Sequence, residues 1–307
     1  MNSGKTKVAV FFFEYVLYIK GMQQTPQNLI PLTDHGLLAI TGDDAPAFLQ
    51  GMVTCDIRNV DEDTSLYGAH LTHQGRFLYD FFAFRLGGDI VLDCHKETLM
   101  AFAKSLHEHK MRFDIGFEDL TDDFDIFADI TATQGQPGHT QELNGVYILT
   151  DPRLPAMGVR IVAPKGQMAG AGDLEDYHAY RVSLAVPDGA FDCVQAKTIA
   201  GEMCLEYLNG VDYKKGCYLG QEMTARTHFR NPPKKRLVAV RYEGDAPPPG
   251  ADVKAGKLKV GQVFSCAQGK GIAILRVAKA LANGAELSAD KVKLQAEKPA
   301  WADYTVE

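Results

Sequence analysis

At 307 residues, with 46% hydrophobic and 23% charged side chains, the chain has the make-up of a globular protein long enough for two or three domains, each with its own core. A formal net charge of −7 excludes a protein coated for nonspecific nucleic-acid binding, although a local basic patch is compatible with an acidic whole. The six cysteines at 55, 94, 193, 204, 217 and 266 form no Cys-x-x-Cys pair and no Cys/His cluster. They predict no metal site and read as reduced thiols in a cytoplasmic protein.

In chain order, residues 1–28 read as an extension. Lys5 and Lys7 precede the apolar run from Val8 to Phe13, but Glu14 interrupts it, it is too short to span a bilayer, and no small-residue cleavage site follows. No membrane partner is expected. Gly36 to Gly42 is a glycine-bounded apolar run, as a buried strand should be. Asp43, Asp44 and Pro46 then open a helix carrying Phe48, Leu49, Met52 and Val53. Residues 66–95 read as strands, with a turn at Gly75 and a hairpin at Gly87-Gly88-Asp89. Leu99, Phe102, Ala103 and Leu106 lie on one face of a helix predicted over 96–113.

From Phe117 to Asp129 there are six acidic residues and no basic one, which predicts one strand with a solvated acidic face. A helix is expected over 174–184, and a short apolar segment over 198–208. Asn231-Pro232-Pro233 marks a boundary. Beyond it, three candidate strands at 237–240, 258–264 and 272–277, separated by proline and glycine turns, imply a small β-barrel or sandwich. The fold class predicted is α+β followed by a small C-terminal β-barrel, with divisions at 1–28, 29–231 (two subdomains) and 232–307.

The densest chemistry is Lys214-Lys215-Gly216-Cys217-Tyr218-Leu219-Gly220-Gln221-Glu222. A thiol between two glycines and behind two cations suits an accessible, thiolate-prone cysteine; the same glycines also suit a tight loop with the cysteine packed inward. Gln221 and Glu222 are placed to start a helix, with Glu222 favoured in its first turn. Between Lys214 and Arg236, seven basic residues face a single acid, Glu222. Such a patch attracts anions, whether a carboxylate-bearing small molecule or an RNA backbone, or is simply a solvated face. His228 is a proton-carrier candidate with no identified partner. Gly269-Lys270-Gly271 lacks P-loop spacing, and there is no His-Glu-x-x-His.

Lys215 to Glu222 resembles the signature of the YgfZ family, folate-binding proteins of iron–sulfur cluster assembly related to the glycine-cleavage T-protein. Phe48 to Asp56, Gln74 to Asp80, Gly261-Gln262-Val263 and Gly269 to Ala273 resemble other parts of that family. The resemblance implies T-protein-like (aminomethyltransferase-like) domains with a pocket for tetrahydrofolate or a one-carbon derivative between the first two. It also implies iron–sulfur carrier or client proteins as partners, and an influence on tRNA modification that is indirect, with tRNA itself a weaker partner and DNA not one.

In such a site Cys217, activated by Lys214 and Lys215, would meet a partner thiol, a cluster or a one-carbon adduct. Asp80 would bond the pterin or simply end a strand; T-protein-like folds carry two acids there, whereas this chain reads Tyr79-Asp80. Arg76 and Arg181 would pair with a folate carboxylate or with nearby acids, and Tyr218 would stack on the folate or pack beneath its loop. Assembly without independent turnover is the function expected, with a folate-dependent methyl or aminomethyl transferase as the alternative.

Overall fold

The run at 36–42 and the acidic stretch after it set the framework. A computed structural model of the chain describes residues 29–132 and 135–306; the extension expected over 1–28 lies outside the described residues. After a short β1 (Ile30–Pro31), the apolar run becomes β2 (His35–Thr41), five of whose seven residues are buried. Helix α1 (Ala45–Met52) follows and buries Ala45, Phe48, Leu49 and Met52. Asp44 stands at its N-cap without capping it; its carboxylate instead accepts the backbone N–H of Asp114 at 2.8 Å.

Strands β3 (Leu66–Leu71), β4 (Phe77–Leu86) and β5 (Asp89–His95) come next. Leu86 pairs with Asp89 across the two-residue turn at Gly87-Gly88, where both glycines take positive φ, 61° and 107°, as a twist-matched hairpin turn requires. Helix α2 (Lys96–His107) buries Leu99, Phe102 and Leu106. It ends six residues short of the expected 113, and Met111 at φ 46° lies in the left-handed region that breaks a helix. The chain folds back there and sets Phe113 edge-on to Phe48 at 5.5 Å.

The acidic stretch is two strands rather than one. β6 (Gly116–Asp119) closes the order β3-β4-β5-β2-β6, while β7 (Phe124–Asp129) belongs to a second sheet, β1-β7-β10-β9-β8, with β8 (Thr140–Leu143), β9 (Val146–Thr150) and β10 (Val159–Pro164). Between them the Asp119 carboxylate accepts the N–H of Thr121, a local turn of the kind that competes with a continuous strand.

Helix α3 (Leu174–Ser183) and helix α4 (Gln221–Phe229) lie in the long connection to the last domain. There the chain forms a closed barrel in the order β11-β14-β13-β12-β15-β16, built from β11 (Lys235–Tyr242), β12 (Asp252–Ala255), β13 (Leu258–Ala267), β14 (Lys270–Arg276), β15 (Leu287–Ala289) and β16 (Val292–Glu297), with a short α5 (Val277–Ala280). Only three of the six strands were expected: β12 and β15 are too short to show alternation, whereas β16 alternates over Val-Lys-Leu-Gln-Ala-Glu and was legible. Closure leaves no free edge.

Buried ion pairs join the parts. Asp93 on β5 receives His35 and Arg160, each at 2.6 Å, and the Arg160 and Arg153 guanidinium groups lie over the Phe82 ring at 4.1 and 4.8 Å. The barrel is tied on by Trp301, whose indole donates to Leu184 O at 2.8 Å, and by Asp192, which accepts the N–H of Ser265 at 3.0 Å.

Candidate functional site

The loop 209–220 is fastened to the first domain from beneath. Thr54 donates its hydroxyl to Gly210 O, Asp212 N–H donates to Thr54 O at 2.9 Å, and Leu219 N–H donates to Gly51 O at 2.9 Å. Asp212 in turn accepts the N–H groups of Lys214 and Lys215 at 2.7 and 3.1 Å, which turns the chain between the two lysines. Gly220 ends the loop at φ 81°, with the Thr72 carbonyl only 2.6 Å from where a Cβ would stand. Any other residue there would meet both strain and backbone. Helix α4 starts at Gln221 with Glu222 in its first turn, and Gln221 reaches back to Gly216 O at 3.3 Å.

This anchoring separates the two residues expected to work together. Cys217 is exposed, the only one of the six cysteines that is, beside Gly216, around which the space is open. Lys215 is buried, with Nζ donating to Val53 O and Cys55 O, both at 2.6 Å, and lying 5.1 Å from the centre of the Tyr218 ring. Burial pulls its ammonium down to about 8. The thiol that feels this charge is Cys55, which burial nevertheless pushes up to about 12. The expected activation of Cys217 by Lys215 is therefore corrected: the lysine fastens the loop, and the ammonium left on the outer side is that of exposed Lys214. Tyr218 packs under the loop, buried with Tyr67 and Leu71.

The other residues expected to contact folate are engaged within the chain. Asp80 accepts Tyr67 OH at 2.8 Å and Gly189 N–H at 3.1 Å; burial, then the nearby Asp188 carboxylate, raises its carboxyl. The cavity beside it holds 70 Å³, room for about two waters. Arg76 is exposed and donates to Lys197 O at 2.5 Å. Arg181 is sealed, pairing with Asp192 at 2.5 Å and donating to Ser265 Oγ at 2.9 Å and His178 Nδ1 at 3.1 Å, so it links α3 to the barrel and has no fork free for a ligand. His228 is stacked on Tyr213 with ring centres 3.8 Å apart.

A larger cleft, of 530 Å³, opens where the β5 end, α3 and the barrel meet; Asp34, His95, His178, Phe191, Ser265 and Cys266 are among the residues that line it. His178 accepts from Arg181 on Nδ1 and bonds the Asp34 carboxylate through Nε2 at 3.0 Å, which sets it as the Nε2–H tautomer. Asp34 is held down at about 2; burial works against this, but the His178 bond and the surrounding histidines prevail. His95 is 9% exposed, and neither of its ring nitrogens has a hydrogen-bond partner, nor has Asp34 Oδ1. The Phe191 ring meets His95 and His178 edge-on at 5.2 and 5.4 Å. Sequence reasoning missed these residues, which come from four distant segments that no spacing connects. Among the described residues, no group of three or more His, Cys, Asp or Glu is placed to hold a metal ion.

Residues 234–304 match the family described as the CAF17 C-terminal beta-barrel domain. The mitochondrial iron–sulfur cluster assembly factor IBA57 of Mus musculus is 31% identical over 268 residues, covering 75% of this chain and 74% of that protein. The chain belongs to the IBA57 family of iron–sulfur cluster assembly factors. The human IBA57 is 30% identical over 269 residues, covering 78% of this chain and 74% of its own; against the Mycosarcoma maydis homologue, 30% identical, the chain spans 60% of that protein's length. All three relatives are named mitochondrial, which overturns the cytoplasmic expectation. Among solved structures, the glycine cleavage system aminomethyltransferase T of Bartonella henselae superposes with a TM-score of 0.70 over 89% of this chain and 86% of its own, at 16% identity. The T-protein-like fold with its terminal barrel is thereby shown.

Proposed function

We propose that this IBA57-family chain presents the Cys217 thiol to a partner carrying an iron–sulfur cluster or a reactive thiol, and that it binds tetrahydrofolate or a one-carbon derivative in the cleft beside α3. The observation that carries the first half is the exposure of Cys217 on a loop whose lysine, tyrosine and backbone anchors face inward. A thiol so displayed is accessible for ligation or exchange without any opening of the protein. The motif at 215–222 supports kinship with the YgfZ proteins.

For the second half, a cleft of 530 Å³ falls within the range of small-molecule sites, about 300–1,000 Å³. The His95 ring nitrogens and Asp34 Oδ1 are buried polar atoms without hydrogen-bond partners, although His95 Nε2 stands 4.0 Å from Asp34 Oδ2, and such atoms are costly unless a ligand or water satisfies them. His95 and Asp34 would bond the ring, Phe191 would pack on it, and Lys96 at the rim would attract a carboxylate tail. Folate there supplies a one-carbon carrier. The transferase alternative is the weaker reading, since Asp80 is engaged by Tyr67 and Gly189 and lacks a neighbouring acid in the sequence. Any effect on tRNA modification would be indirect, through enzymes that need clusters.

Two measurements test the two halves. In cells lacking the protein, the wild type should restore the activity of cluster enzymes and Cys217→Ala should not; equal rescue removes the thiol from the function. Titration with tetrahydrofolate should show saturable binding weakened by His95→Leu, and no binding removes the folate.

A further inference from the structure

Helix α4 continues directly from the Cys217 loop and turns little of itself inward: Thr224 is its one buried residue. Two large apolar side chains stand in the open on this short helix, Met223 at 39% and Phe229 at 68% exposure. Phe229 is not loosely placed. Tyr213 stacks on His228 at an interplanar angle of 18°, and both rings meet Phe229 edge-on, at 5.7 and 4.6 Å. An aromatic group ordered in advance loses little further freedom when a partner covers it.

The charge around this group is predominantly positive, with Glu222 the one acid between 214 and 236. Of the seven cations between 214 and 236, Lys215 and Arg236 are buried and engaged with backbone or Glu206, Lys235 is half-buried, and Lys214, Arg226, Arg230 and Lys234 are exposed. None of those four forms an ion pair among the described residues. In a chain of net charge −7, this is a local reversal of sign centred on exposed aromatic, methionine and arginine side chains, the types enriched at protein interfaces.

We infer that the face formed by Met223, Phe229 and the Tyr213–His228 stack, ringed by Lys214, Arg226 and Arg230, docks a protein whose matching surface is apolar at its centre and acidic at its rim, and so seats that partner beside Cys217. The inference rests on the reading that Cys217 meets a partner's cluster or thiol. A protein fits better than RNA. Tyr213 already covers one face of His228, and the face includes Met223, which offers a base no ring to stack on.

The test uses the full chain and a purified carrier protein of acidic surface that holds an iron–sulfur cluster on exposed cysteines, with and without its cluster, and in parallel bulk tRNA. Wild-type protein should bind the cluster-free carrier with an affinity that weakens as salt rises. Phe229→Ser and the pair Arg226→Glu, Arg230→Glu should each weaken binding by about tenfold or more, with unchanged circular dichroism and melting temperature. Cys217→Ser separates the two ideas, because it should abolish cluster capture while docking of the cluster-free carrier persists. No binding by the wild type, or wild-type affinity in both surface variants, overturns the docking face; if cluster capture still needs Cys217 in that case, the thiol reading stands alone. Tight tRNA binding lost in the same variants, with no carrier binding, replaces the protein partner with RNA and also overturns the proposal.

Discussion

The side-chain nitrogen of Lys215 lies 2.6 Å from the carbonyl oxygen of Cys55, on the inner side of the loop whose outer side displays Cys217. One residue of the motif thus holds the loop in place while another, two positions on, faces solvent. Lys215→Met should leave the buried carbonyls of Val53 and Cys55 without a donor, at about 1–3 kcal/mol each, read as a lower urea midpoint and faster amide exchange over 212–220. The pH profile of Cys217 alkylation should stay unchanged; a profile displaced to higher pH would mean that the ammonium reaches the thiol after all.

His70 on β3 is fully buried, bonded through Nδ1 to Met52 O and through Nε2 to Ser105, each at 3.0 Å. Burial lowers it from 6.5 to about 4. Between those values the unfolded chain binds the proton and the folded one does not, so stability is full above 6.5 and is lost as pH falls toward 4, by on the order of 3 kcal/mol. Urea unfolding across that window should show the slope, and His70→Gln should flatten it.

Arg181 and Asp192 form a sealed pair, 2% and 0% exposed in their side chains, and Asp192 also caps the Ser265 N–H of the barrel. Arg181→Met leaves a buried carboxylate uncompensated, which costs about 3–5 kcal/mol. Arg181→Met with Asp192→Leu should recover part of that loss, whereas a surface pair such as Arg241–Glu297 should cost under about 1 kcal/mol to break. Differential scanning calorimetry of the single and double variants decides it.

If folate occupies the cleft beside α3, His95→Leu should weaken tetrahydrofolate binding by about tenfold, the worth of one or two hydrogen bonds. Asp80→Asn keeps an acceptor for Tyr67 and Gly189 and should leave affinity within about twofold. The reverse ranking by isothermal titration calorimetry would return the ligand to the pocket expected beside Asp80, between the first two domains.

Alone, the sequence determined the elements that local chemistry enforces. A glycine-bounded apolar run became β2, two glycines with positive φ became the β4–β5 turn, and the motif around Cys217 became a glycine-closed loop opening a helix at Gln221. It misjudged the acidic stretch because a run of carboxylates says that a face is wet, without saying to which sheet each half belongs. Only the tertiary structure decided that Lys215 points at backbone carbonyls rather than at a thiol, that Arg181 is consumed by Asp192, and that Asp34, His95, His178 and Phe191 converge on one cleft. The physical reason is range: turns, caps and strand periodicity are set by neighbours a few residues away, whereas the direction of a buried charge is set by whichever distant group can repay its desolvation.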